Sequence, residues 1–139
     1  MSMYTETIMW HNQSGHNKRP LEGATHVERG NNPSCGDDLS LEVILEGGVI
    51  KDASFSGSGC AISQASMSIM IDLIKDKAVI DAKMICDAYL SMVKGESISE
   101  EMVDALEDAQ IFEGLSKMPA RVKCGTLGWH CLKTVIDRL

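Results

Sequence analysis

The stretch from Cys35 to Cys60, "CGDDLSLEVILEGGVIKDASFSGSGC", decides the fold. In its first half Leu39, Leu41, Val43 and Leu45 alternate with Ser40, Glu42, Ile44 and Glu46. A period of two with one apolar face predicts a half-buried strand. Gly47 and Gly48 form a hairpin turn signal. The returning strand is "VIKDASFSG", where Val49, Lys51, Ala53 and Phe55 run opposite in phase to Ile50, Asp52, Ser54 and Ser56, and Gly57 and Gly59 end it. An antiparallel hairpin brings its far end back to the level of its start. Cys35 and Cys60 therefore become neighbours at one end of the sheet, both on glycine-lined turns.

Past Cys60 the apolar period changes. Ile62, Ala65, Ile69 and Leu73 recur at helical spacing, predicting a helix over Ala61 to Lys75. Val79, Ala82, Cys86, Tyr89, Leu90 and Val93 predict another, ending at Gly95. "SISE" at Ser97 to Glu100 fits a capping box opening an acidic helical stretch that runs in pieces to Lys117. Pro119 suits the first turn of a final helix to about Arg138. Upstream, "YTETIMWHNQ" can form a short helix and "ATHVERG" a short edge strand, with a punctuated loop between them. Asn31, Asn32 and Pro33 read as a turn. Strands first and helices after predict an α+β fold, with a small antiparallel sheet of about three strands and several helices on one face. The expectation is a single domain over residues 1–139.

The 139 residues are 44% apolar and 24% charged, with a formal net charge of −7. That leaves no global basic field for a nucleic-acid backbone or an anionic membrane, so neither is expected as a partner. No apolar run approaches the ~20 residues of a membrane helix. The N-terminal stretch has no basic segment followed by an apolar one, so a cytoplasmic location is expected. Thiols stay reduced there, and five cysteines are an odd count, which favours metal binding or thiol chemistry over a disulfide set.

Asp37 follows Cys35 with only Gly36 between, and glycine lets the chain bend so that both side chains face one point. Cys60 begins a helix, where the positive end of the dipole favours a thiolate. Cys124 lies early in the last helix, in "ARVKCGTLGWHC", and Arg121 and Lys123 would favour its thiolate too. Gly125 and Gly128 each cost about 1 kcal/mol against alanine in a helix, which close approach of another backbone would explain. Packing that brings Cys124 to the hairpin end would gather Cys35, Asp37, Cys60 and Cys124. Zinc takes four such ligands tetrahedrally. The carboxylate oxygen is the harder and more readily displaced donor. The same thiolates could instead hold iron or a cluster. Cys86, on an apolar stripe, reads as structural. So does Cys131, which lies about 10 Å along the helix from Cys124 and cannot share its metal. His11, His16, His26 and His130 lack ligand spacing and read as surface or loop residues. The nine methionines read as core filler and the "EEMVDALEDAQ" acids as a solvated face.

Three segments, "NNPSCGDDLSLEV", "FSGSGCAIS" and "LSKMPARVKCGTLGW", resemble the three cysteine motifs of the IscU/NifU-like family of iron–sulfur cluster assembly proteins. The resemblance runs from about Tyr4 to Ile136 and is strongest to the SufU type. The interval between Cys60 and Cys124 is longer than in typical IscU proteins, and Lys123 stands where those have a histidine. The resemblance implies zinc bound by Cys35, Asp37, Cys60 and Cys124, with Asp37 the exchangeable ligand. It implies that Cys35 receives persulfide sulfur from a pyridoxal-phosphate-dependent, SufS-like cysteine desulfurase, and that Arg121 and Lys123 support the site. Downstream iron–sulfur assembly proteins or apo-clients would be further partners. This would be a zinc-dependent sulfurtransferase. The alternative is a scaffold that assembles a transient [2Fe–2S] cluster and passes it on. The chain departs from the family's common "HYxxPRN"-like stretch at "WHNQSGHNKRPLEG", and "CGTLGWHCL" has glycines where alanine and serine are usual.

Overall fold

A computed structural model describes residues 2–139. Helix α1 (Met3–Ser14) leads into strands β1 (His26–Asn32), β2 (Asp37–Glu46) and β3 (Val49–Ser58). Helices α2 (Ala61–Ile74), α3 (Val79–Val93), α4 (Glu100–Ala105) and α5 (Pro119–Asp137) follow, with a run of 3₁₀ turns over Glu107–Lys117 before the last. The strands form one antiparallel sheet in the order β1-β2-β3, and α2 and α5 cover one face of it. This is the predicted α+β arrangement.

The central strand keeps the predicted alternation. Leu39, Leu41 and Val43 are completely buried, and burying each contributes about 1.5–3 kcal/mol. The returning strand changes phase. Ile50, Ala53 and Phe55 all face the core, because the pairing shifts from Ile44↔Asp52 to Leu45↔Ile50 and leaves Lys51 as the extra residue of a bulge. No uninterrupted period of two could have predicted that.

Two local expectations are corrected. Asn31 and Asn32 do not form the turn. They pair with Asp38 and Asp37 at the end of β1, because the central strand offers its ladder that far. The turn is Pro33–Cys35, closed by Gly36 at φ +70, a conformation glycine adopts without strain. The cap of α4 is Ser99 rather than Ser97, and its side chain accepts the Met102 N–H at 3.2 Å.

The core under the sheet includes a polar network. Trp129 stacks on Tyr89 at 4.0 Å between ring centres. The Trp129 Nε1–H donates to Ser66 Oγ at 3.0 Å, and the Ser66 and Tyr89 hydroxyls both donate to the Gly125 carbonyl at 2.7 Å. At Gly128 a Cβ would come 3.2 Å from the Met67 Cα on α2, the backbone approach expected of it. At Gly125 the neighbour is instead the Leu115 side chain. Gly128 thus lets α5, which carries Cys124, sit close against α2.

His11 is not a surface residue. It is 5% exposed, and its Nδ1 lies 2.6 Å from Ser68 Oγ. The Ser68 Oγ also lies 2.9 Å from the His16 carbonyl, so His11, Ser68 and His16 form one hydrogen-bonded chain. Among the described residues no helix is long and apolar enough to cross a membrane.

Candidate metal centre

Three elements meet at one end of the sheet. The Pro33–Cys35 turn presents Cys35, which is exposed. The first residue of β2 presents Asp37, only 1% exposed. The second turn of α5 presents Cys124, fully buried. One ligand atom from each lies within 4.8 Å of the others, and the Cys124 Sγ is 3.3 Å from the Cys35 Sγ. The hairpin brings Cys60 to Asp37, next to Cys35, and the packing of α5 on α2 and β1 supplies Cys124.

Cys60 occupies the N-cap of α2. Its backbone N–H donates to Asp37 Oδ1 at 2.8 Å, and its Sγ accepts the Ser63 N–H at 3.4 Å. Here the expected helix-terminus contact is made, by the N–H three residues on. The Cys60 sulfur lies outside the 4.8 Å group of the other three, although it acts on the Cys124 thiol. It is the one expected ligand that the fold brings near without bringing fully in.

Electrostatically the cluster is acidic. Burial pushes the Cys124 thiol well above its ordinary range, and Cys35, Cys60 and Asp37 add to the shift. Arg121 and Lys123 are both exposed, and neither is among the groups acting on Cys124. Lys123 lines a shallow cavity of about 330 Å³ with Asn31, Asn32 and Pro33, beside the turn that bears Cys35. Arg121 acts on Tyr4 of α1, whose phenol is pushed up by burial, pulled down by Arg121 and pushed up again by Cys60. Helix α1 thus reaches the rim of the site. Among the described residues no basic side chain pairs with Asp37. Soft sulfurs and one carboxylate, packed together without a cation, are a donor set that fits zinc or iron.

Two contributors to the site escaped the sequence reading. Ser63, completely buried, donates its hydroxyl to Asp37 Oδ1 at 3.0 Å. Asn32 reaches Asp37 Oδ2 with its Nδ2 at 3.4 Å. A signal for Ser63 existed, because Ser63, Ser66 and Ser68 are polar residues buried in a mostly apolar helix.

The family model described as the NifU-like N terminal domain matches residues 3–91. The chain belongs to this family. Among similar proteins, the zinc-dependent sulfurtransferase SufU of Bacillus subtilis is 38% identical over 132 residues, covering 95% of this chain and 88% of its own. The iron–sulfur cluster assembly scaffold protein IscU of Thermotoga maritima is 36% identical over 137 residues, covering 99% and 94%. A putative iron–sulfur cluster assembly scaffold protein for the SUF system from Fervidobacterium islandicum has a solved structure with a TM-score of 0.86 and 34% identity over 96% of each chain. A NifU-like N-terminal structure from Brucella abortus, at 21% identity and a TM-score of 0.83, shares the fold. Cys35 and Cys60 lie within the family match, while Cys124 lies beyond it in the part covered by the full-length relatives.

Proposed function

We propose that this chain is a sulfur carrier of iron–sulfur cluster assembly, one that accepts persulfide sulfur on Cys35 from a pyridoxal-phosphate-dependent cysteine desulfurase. The observation that carries the reading is an exposed thiol, Cys35, set 3.3 Å from the buried Cys124 and grouped with the buried Asp37. Cys35, Asp37, Cys60 and Cys124 would hold zinc, which when bound keeps its cysteine ligands deprotonated. The residues divide the work. Asp37 and Cys124 are fixed from within the fold, whereas Cys35 sits on a short turn that a partner can reach. In the transfer, the Cys35 thiolate attacks the outer sulfur of the desulfurase's cysteine persulfide. A new S–S bond forms on Cys35, the partner's S–S bond breaks, and the partner's cysteine leaves as thiolate. The outer sulfur keeps its proton, so no external oxidant or reductant is needed. Arg121 and Lys123, exposed at the rim, are placed to meet a docking partner. The names of the Bacillus subtilis and Thermotoga maritima relatives support the assembly pathway, the first supporting sulfur transfer and the second the alternative of a [2Fe–2S] scaffold. The cytoplasm is the compartment proposed.

The test combines metal analysis with a desulfurase assay. Stoichiometric zinc and strong stimulation of the desulfurase are expected. Cys35→Ala abolishes the stimulation and Cys86→Ala leaves it intact. Equal loss in both variants contradicts the assignment, and iron with labile sulfide favours the scaffold.

A further inference from the structure

Asp37 is more firmly held than its neighbours in the site. Its Oδ1 accepts the Cys60 N–H at 2.8 Å and the Ser63 hydroxyl at 3.0 Å. Its Oδ2 has only a long contact, 3.4 Å from Asn32 Nδ2. The two oxygens are therefore unequal, one saturated and one free to bind. The Ser63 Oγ is also 3.0 Å from the Cys60 carbonyl. A hydroxyl has one proton, and an anionic carboxylate takes it in preference to a neutral carbonyl. Gly59 keeps the space open. A Cβ there would fall 2.6 Å from Ser63 Oγ and 2.8 Å from Asp37 Oδ1. The backbone N–H of the same serine holds the Cys60 sulfur at 3.4 Å.

We propose that Ser63 is a positioning residue for metal binding: with the Cys60 N–H it pins Oδ1 of Asp37, so that Oδ2 is the oxygen offered beside Cys35 and Cys124. One residue thus organises two ligands, Asp37 through its hydroxyl and Cys60 through its N–H. The inference rests on the metal-site reading and deepens it. Restricting rotation of the carboxylate lowers the entropy cost of ligation. Partners of this kind carry about 10–100-fold in metal affinity.

The experiment follows zinc transfer from the loaded protein to excess chromogenic chelator. Ser63→Ala speeds zinc release about tenfold. Ser63→Thr, which keeps the hydroxyl, stays near the parent rate. In an Asp37→Ala background, Ser63→Ala adds less than about twofold, because its partner is gone. Gly59→Ala, which crowds the same oxygen, is the second variant, and it too speeds release only while Asp37 is present. Parent-like release from Ser63→Ala overturns the proposal. So does an acceleration that persists undiminished without Asp37, as a purely structural defect in α2 would give. If Asp37→Ala itself releases zinc at the parent rate, the underlying reading of Asp37 as a ligand falls instead.

Discussion

The five cysteines fall into two regions, and comparing them separates burial from function. Cys86 and Cys131 lie in the core between α3, α5 and the sheet. Cys86 is 1% exposed and donates to the Trp129 carbonyl at 3.4 Å, and burial pushes its thiol up to about 12. Cys131 is 4% exposed and packs where a Cβ on Gly30 would stand, and burial raises its thiol to about 11. Cys124 is as buried as these and is raised for the same first reason. What distinguishes it is company. It faces the Cys35 sulfur and the Asp37 carboxylate, whereas Cys86 faces a backbone carbonyl. A buried thiol alone is a small apolar side chain, and a buried thiol among other acidic donors is half of a cation site.

Thiol labelling should break the comparison most visibly. In the metal-free protein at neutral pH, iodoacetamide labels Cys35 first, while Cys86 and Cys131 react only on unfolding, as peptide mapping by mass spectrometry will show. Early labelling of Cys86 would erase the distinction. The next effect is on stability. Trp129→Ala removes the ring stacked on Tyr89 and the partner of Ser66, and it costs about 3–5 kcal/mol in denaturant unfolding. Cys35→Ala, at an exposed position, changes stability of the metal-free protein by no more than about 0.5 kcal/mol. A large stability loss from Cys35→Ala would mean that the site end is structural after all.

The smallest effect concerns pH. Burial lowers the pKa of His11 below its usual 6.5, outweighing Asp72 and Asp108, which raise it, while His16 lowers it further. On acidification the unfolded chain takes up this proton before the folded one does. The contribution of His11 is therefore complete above about pH 6.5 and is lost as pH falls from there toward the lower folded pKa. Unfolding curves between pH 7.5 and about pH 5 should show this decline, and His11→Gln should flatten it. An unchanged slope in His11→Gln would assign the decline to other groups.

The hairpin and the switch of period at Cys60 made most of the fold legible in the sequence. Ala61, Val79 and Pro119 begin helices where their local patterns placed them. What local pattern could not show was set by partners distant in sequence. Asn31 and Asn32 look like turn residues but are strand residues, because β2 extends to Asp37. His11 looks like a polar residue at a helix end but is buried against Ser68 of α2. At the site, strand pairing alone put Cys60 at the same end of the sheet as Cys35. The third thiol came from the family resemblance, and its arrival depends on the packing of α5 on α2 and β1, which Gly128 lets come close. Ser63 went unread because its partner, Asp37, is contributed by another element.

The most direct test of the central claim is to locate the sulfur. The zinc-loaded protein is incubated with a cysteine desulfurase and free cysteine, alkylated, digested and mapped by mass spectrometry. The predicted result is a single added sulfur on the peptide carrying Cys35, absent when the desulfurase is omitted. Sulfur distributed over Cys86 and Cys131, or none on Cys35 while the desulfurase turns over, would contradict it.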